Sequence, residues 1–92
     1  MVSEIRASHI LVMNEEHCKE LIAKIKAGAS FEDLARQFSK CPSGPKSGGD
    51  LGYFGKGQMV AQFENAAFKL NKGEIAGPVK TQFGFHIIKR TA

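Results

Sequence analysis

Residues 50–70 read DLGYFGKGQMVAQFENAAFKL, and within those positions the pattern changes period once. Asp50–Phe54 is short and carries aromatic residues, as a short central strand does. Gly55 and Gly57 in GKGQ then turn the chain. Beyond the turn, Val60, Phe63, Ala67 and Leu70 recur three and four residues apart, which predicts a helix with one apolar stripe, and Gly73 follows its end. A strand and a helix in about twenty residues exclude an all-helical or an all-strand chain.

The flanks extend that reading. Toward the C-terminus, Gly77-Pro78 breaks the chain, Pro78–Lys80 fits a short edge strand, Thr81–Gly84 a turn, and Phe85–Arg90 a final strand. Toward the N-terminus, residues 39–49 (SKCPSGPKSGG) hold two prolines, three glycines and three serines, a loop with space for one helical turn. Before it, Phe31, Leu34, Ala35 and Phe38 share one helical face behind Ser30 and Asp33, whose spacing resembles a capping box. An earlier helix starts at Asn14, a capping residue followed by Glu15 and Glu16, carries Cys18, Leu21, Ile22 and Ile25, and stops at Gly28. Residues 3–13 alternate and then become continuously apolar, as a strand entering a core does. The predicted class is α+β: helices around a small, largely antiparallel sheet.

Ninety-two residues make one domain with one core. Hydrophobic residues are 42% and charged residues 24%, an ordinary soluble balance, with seven Phe and no Trp supplying the aromatic bulk. The apolar run Ile10–Met13 is shorter than the core of a signal peptide (about 7–15 residues), and nothing approaches the ~18–20 apolar residues of a membrane span. The expectation is a mature cytoplasmic chain. Cys18 and Cys41 have no metal-binding or redox spacing, so two thiols are expected rather than a disulfide. The net charge is +4, with bases scattered from Arg6 to Arg90. Such a mixed surface gives no nucleic-acid footprint, and its scattered lysines offer at most weak contact with acidic surfaces.

Polar residues stand out where a core asks for apolar ones. His9 precedes four apolar residues of the first strand, and His86 sits between Phe85 and Ile87-Ile88 in the last. If those strands are neighbours, the imidazoles meet inside the sheet. A lone strand histidine is ordinarily a hydrogen-bonded structural residue; two in one small domain weaken that account. Cys41 lies in a Gly/Pro loop, where packing seldom demands cysteine, although a small buried hydrophobe is the plain alternative.

Four blocks carry a resemblance: SHILV at 8–12, FSKCPSG at 38–44, GGDLGYFGKGQMVAQFENAAF at 48–68 and GPVKTQFGFHIIK at 77–89. Together they resemble the parvulin family of peptidyl-prolyl cis/trans isomerases over essentially the whole chain. The resemblance implies a four-stranded, mainly antiparallel sheet surrounded by about four helices. It implies rotation about the bond before proline in polypeptide segments, without cofactor or metal, by a protein that helps folding as a monomer. Residue by residue, it implies that His9 and His86 are the paired histidines. Cys41 is then the loop cysteine (aspartate in some members), and Thr81 the sheet hydroxyl joining the histidines. Leu51, Met59 and Phe63 match the apolar pocket for the proline ring, with Gln58 and Phe54 at its rim. Phe83 falls where some relatives carry a small polar residue, making the mouth more apolar. Relatives that prefer phosphorylated residues before proline use a basic cluster after the first strand; here that connection is Met13-Asn14, followed by two glutamates.

Three other readings stay open on the residues alone. Cys41 with His86 suggests a cysteine hydrolase, but no oxyanion hole or orienting third group is evident. His9, Cys41 and His86 suggest a zinc site that lacks a fourth ligand. A non-catalytic module would bind proline-containing chains in the same pocket without a rate effect.

Overall fold

The computed structural model describes residues 4–41 and 43–92; the expected strand start at residue 3, and Pro42 of the loop, lie outside them. The elements are β1 (Glu4–Val12), α1 (Glu15–Lys26), α2 (Phe31–Phe38), α3 (Ser43–Ser47), β2 (Asp50–Gly55), α4 (Ala61–Lys69), β3 (Ile75–Thr81) and β4 (Gly84–Arg90). Three are full helices; α3, at five residues, is the single turn for which the glycine-rich loop had space.

The helix starts follow their capping chemistry. Asn14 Oδ1 accepts from the backbone N–H groups of Glu16 (2.7 Å) and His17 (3.3 Å). Ser30 Oγ accepts from Asp33 N (3.2 Å). Each satisfies donors that a helix end leaves unpaired. The α4 start differs from the expectation. Its N-cap is Val60, with no side-chain cap, so Met59 precedes the helix.

All neighbouring strands are antiparallel, in the order β2-β1-β4-β3. The strand expected to be central, β2, is therefore an edge strand, and the longest strand, β1, lies inside. Side-chain alternation divides the core into two layers. Ile10, Val12 and Ile87 pack with Cys18, Leu21, Phe31, Leu34 and Ala35 of α1 and α2. Ile5, Ala7 and Ile88 pack with Phe54 and with Phe63 and Ala67 of α4. His9 alternates with Ala7, and His86 with Ile88, so both imidazoles enter the α4 layer.

The loop before β2 is drawn tightly against β1. His9 N donates to Gly49 O (2.9 Å), and Gly49 holds φ of +90° with its missing Cβ aimed at the His9 carbonyl. Any other residue there would meet backbone and adopt a strained conformation.

Candidate active site

The register of β1 on β4 pairs His9 with Ile88 and Leu11 with His86, so the two histidines are diagonal neighbours. Their rings stack at 5.2 Å and 17°, and the two Nδ1 atoms lie 3.0 Å apart. Both residues are buried, at 5% and 4% exposure. Across the β3–β4 turn, Thr81 Oγ1 lies 2.7 Å from His86 Nε2 and accepts from Phe83 N (3.2 Å). Thr81 thus joins the histidine pair.

One Nδ1 atom donates to the other, and Thr81 Oγ1, with one O–H and two lone pairs, can serve either form of His86 Nε2 while accepting from Phe83. His9 Nε2 is buried and has no hydrogen-bond partner among the described residues. Burial pushes the His9 pKa down to about 4, with the nearness of His86 a smaller cause. Burial lowers His86 as well. Both rings are therefore neutral near pH 7, and one Nδ1 can donate to the other.

Phe63 closes the pair from α4. Its ring stands edge-on to both imidazoles, at 5.4 Å and 81° to His9 and at 5.4 Å and 82° to His86. In front of these three rings opens a cavity of about 480 Å³. Leu51, Met59 and Phe63 line it, as expected, together with Gln58, Phe83, Cys41, His9 and His86. The helical i, i+4 reason for Met59 and Phe63 sharing a side does not hold, because Met59 lies outside α4; the turn before the helix delivers it instead. Gln58 has part of its amide engaged, its Oε1 accepting from Gly55 N (2.8 Å).

Phe54 corrects the rim expectation. It is only 2% exposed, lies within the α4 layer, and is not among the residues lining the cavity. The β1–β2 register pairs it with Ile5, which turns it inward. Its ring supports Phe63 from behind, at 6.0 Å.

Three lining residues were not anticipated: Leu11, Lys40 and Val60. Leu11 was within reach, since it lies two residues from His9 on the same strand face. Lys40 and Val60 simply adjoin Cys41 and Met59. The loop is pinned there, with Lys40 N donating to Leu11 O (2.7 Å) and Leu11 N donating to Ser39 Oγ (3.0 Å).

The rival chemistries find less in this arrangement. Among the described residues no three His, Cys, Asp or Glu side chains are grouped to hold a metal ion. Both Nδ1 atoms face each other and His86 Nε2 faces Thr81, so His86 has no nitrogen left to serve a cysteine nucleophile. Cys18 is fully buried, its Sγ lies 3.9 Å from His86 O, and burial, aided by Glu15, pushes its thiol up to about 11. It is a packing residue.

Known proteins share this design. The family described as "PPIC-type PPIASE domain" matches residues 1–92. The foldase protein PrsA of Geobacillus kaustophilus is 53% identical over 88 residues, 96% of this chain and 31% of that protein. The chain spans about a third of the length of such curated relatives. The crystal structure of PrsA from Bacillus anthracis superposes with a TM-score of 0.95 at 53% identity, covering 98% of this chain and 42% of that one. The parvulin NmPin of Nitrosopumilus maritimus, at 44% identity and a TM-score of 0.90, is matched over 100% of this chain and 99% of its own. Sequence and fold agree, and the chain belongs to the PPIC-type, or parvulin, family of peptidyl-prolyl cis/trans isomerase domains.

Proposed function

We propose that this isomerase domain acts on unphosphorylated X-Pro bonds with an apolar or small X, helping proline-containing chains to fold. The observation that carries the reading is the cavity itself: apolar walls from Leu51, Met59 and Phe63, with Cys41 and the neutral histidine pair at one side. Rotation about the amide meets a barrier of ~18–20 kcal/mol because twisting removes C–N resonance. No bond breaks, so neither nucleophile nor metal is needed. A gripped proline ring leaves the preceding carbonyl to turn. The twisted amide separates less charge than the planar one, so an apolar cavity favours it. Cys41 stands beside that carbonyl as a polarisable neighbour, and the His9–His86–Thr81 chain holds the floor in place.

Two further parts of the proposal rest on other features. After β1 come only Met13 and Asn14, followed by the exposed acids Glu15 and Glu16, a poor place for a dianionic phosphate. Cys18 and Cys41 carry thiols rather than a disulfide, which fits a reducing cytoplasm, and cell fractionation checks it. Sedimentation tests the monomer.

The deciding experiment is NMR exchange of an Ala-Leu-Pro-Phe-type peptide with and without the protein. We expect acceleration that persists in chelator, and turnover of a phosphoserine-proline peptide no faster than of its glutamate counterpart. Binding without acceleration would establish the non-catalytic module instead, and a hundredfold preference for the phosphopeptide would remove the substrate assignment.

Met59→Ala tests the pocket. Met59 is half-buried at the cavity wall and outside α4, so its truncation should spare most of the core. We expect kcat/KM to fall about tenfold, equivalent to about 1.4 kcal/mol of transition-state contact. The stability loss should be smaller than the ~2–5 kcal/mol of a fully buried truncation. Thermal melts beside exchange rates decide it; unfolding with an unchanged rate per folded molecule would make Met59 plain core.

A further inference from the structure

Asp50 lies outside the cavity, yet both of its chain neighbours serve the site. Gly49 O accepts from His9 N (2.9 Å), and Leu51 lines the cavity wall. Asp50 itself lines a separate polar notch on the other face of the sheet, with Arg6 and Ser8.

The register of β1 on β2 slips at this point. Arg6 pairs with Tyr53 and Ser8 with Asp50, so Ala7 alone opposes two residues, Leu51 and Gly52. Such a bulge re-aims side chains. In a regular strand, residues three apart face opposite sides. Here Asp50 and Tyr53 both face the side of Arg6 and Ser8, while Leu51 and Phe54 both face α4. Phe54 goes to the core behind Phe63, and Leu51 goes to the cavity. Without the bulge, one of the two would leave its place.

The Asp50 carboxylate holds that bulge. Its Oδ1 accepts from Gly52 N (3.0 Å), closing a turn around Leu51, and from Arg6 Nε (3.1 Å), while Oδ2 accepts from Arg6 Nη2. Gly52 has φ of +73°, which the turn requires and other residues avoid, although a Cβ there would meet nothing. The hydrogen bond from Arg6 keeps the carboxyl below its ordinary 3.8, so it is ionised at neutral pH. The paired side chains are 46% and 29% exposed, so the pair adds little to stability. Its effect is on shape. We infer that Asp50 is a positioning residue: its carboxylate, backed by Arg6, fixes the bulge that aims Leu51 at the proline ring. The inference rests on the reading that Leu51, Met59 and Phe63 grip that ring, and it adds the residue that sets one of the three.

The test measures kcat and KM for the Ala-Leu-Pro-Phe-type peptide on Leu51→Ala, Asp50→Ala, Asp50→Asn, Arg6→Met and the double variant Asp50→Ala/Leu51→Ala, with melts beside them. Leu51→Ala should raise KM about tenfold, the scale at which an apolar pocket reads a few methylenes. Asp50→Ala should raise KM about fivefold with kcat per folded molecule unchanged, whereas a merely structural role would lower the folded fraction and leave KM alone. Asp50→Asn keeps an oxygen for Gly52 N and should stay within about twofold of the wild-type KM. Arg6→Met removes the backing but not the turn, and should raise KM about threefold. The double variant should match Leu51→Ala, because one contact cannot be lost twice. Wild-type KM in Asp50→Ala and Arg6→Met, or in whichever of the two folds, overturns the positioning role while a raised KM in Leu51→Ala leaves the pocket standing. An additive double variant, or Asp50→Asn as impaired as Asp50→Ala, does the same. Wild-type KM in Leu51→Ala overturns the pocket reading and the inference together.

Discussion

Between about pH 7 and about pH 4.5 the domain is expected to lose about 2.5 kcal/mol of stability through His9 alone. The ring is buried and its pKa is lowered from 6.5 to about 4, first by burial and second by His86. Below pH 6.5 the unfolded chain takes up a proton on this histidine while the folded chain does not. Stability is therefore complete above 6.5 and falls as the pH drops toward 4. The full interval corresponds to ~3.4 kcal/mol at ~1.36 per unit, most of it inside the stated window. His86, lowered by burial, adds in the same direction. Protonating the ring that accepts also breaks the Nδ1–Nδ1 hydrogen bond, since both atoms would then be donors. Asp50, held below its ordinary 3.8 by hydrogen bonds from Arg6, loses its contribution only at lower pH still. Urea melts across this range measure the loss, and the same scan on His9→Leu should be flatter. A wild-type profile that stays level from pH 7 to 4.5 would show that His9 is not held neutral by burial.

The residues that declared themselves in the sequence are those whose position breaks a local rule. His9 and His86 are polar in apolar strands, and antiparallel pairing of β1 with β4 brings them together. Asn14 and Ser30 cap helices through chemistry confined to four residues, so no tertiary knowledge was needed. What was not legible depends on register and sheet order. Nothing in DLGYF distinguishes an edge strand from a central one, because β2 is covered by loop and helix contacts that come from distant residues. Phe54 was assigned to the rim, yet its pairing with Ile5 turns it inward; a one-residue change of register would have pointed it the other way. Met59 reached the cavity for a reason other than helical spacing. The resemblance supplied its identity, but only the turn before α4 explains its place. Lys40 stayed invisible because its access to the cavity comes from backbone hydrogen bonds between the loop and Leu11, which no side-chain pattern announces.

Phe63→Ala should produce the largest effect of any single substitution at the site, because one ring both fills the α4 core layer and walls the cavity. It is 3% exposed, stands edge-on to both histidines and lies 6.0 Å from Phe54, whose ring in turn meets Phe68 at 6.0 Å. Truncating a buried phenylalanine ordinarily costs about 3–5 kcal/mol. A domain of 92 residues holds only about 5–14 kcal/mol in total, so the variant should be marginally folded. The melting temperature should fall by about 12 °C or more. Activity should fall further than stability alone explains, since the cavity loses a wall and the imidazoles lose the ring that fixes their planes. A misplacement of about 1 Å at such a site is enough for a loss on the order of 100-fold. Because Phe63→Ala risks unfolding, Phe63→Leu separates the two roles. Leucine keeps most of the bulk in the α4 layer but offers no aromatic edge to His9 and His86. We expect Phe63→Leu to remain folded with kcat/KM reduced by about tenfold, equivalent to about 1.4 kcal/mol. Melts and peptide exchange on both variants, with NMR of the imidazole protons, read the result. If Phe63→Leu keeps the full rate and undisturbed histidine signals, the aromatic edge is dispensable and Phe63 matters only as core.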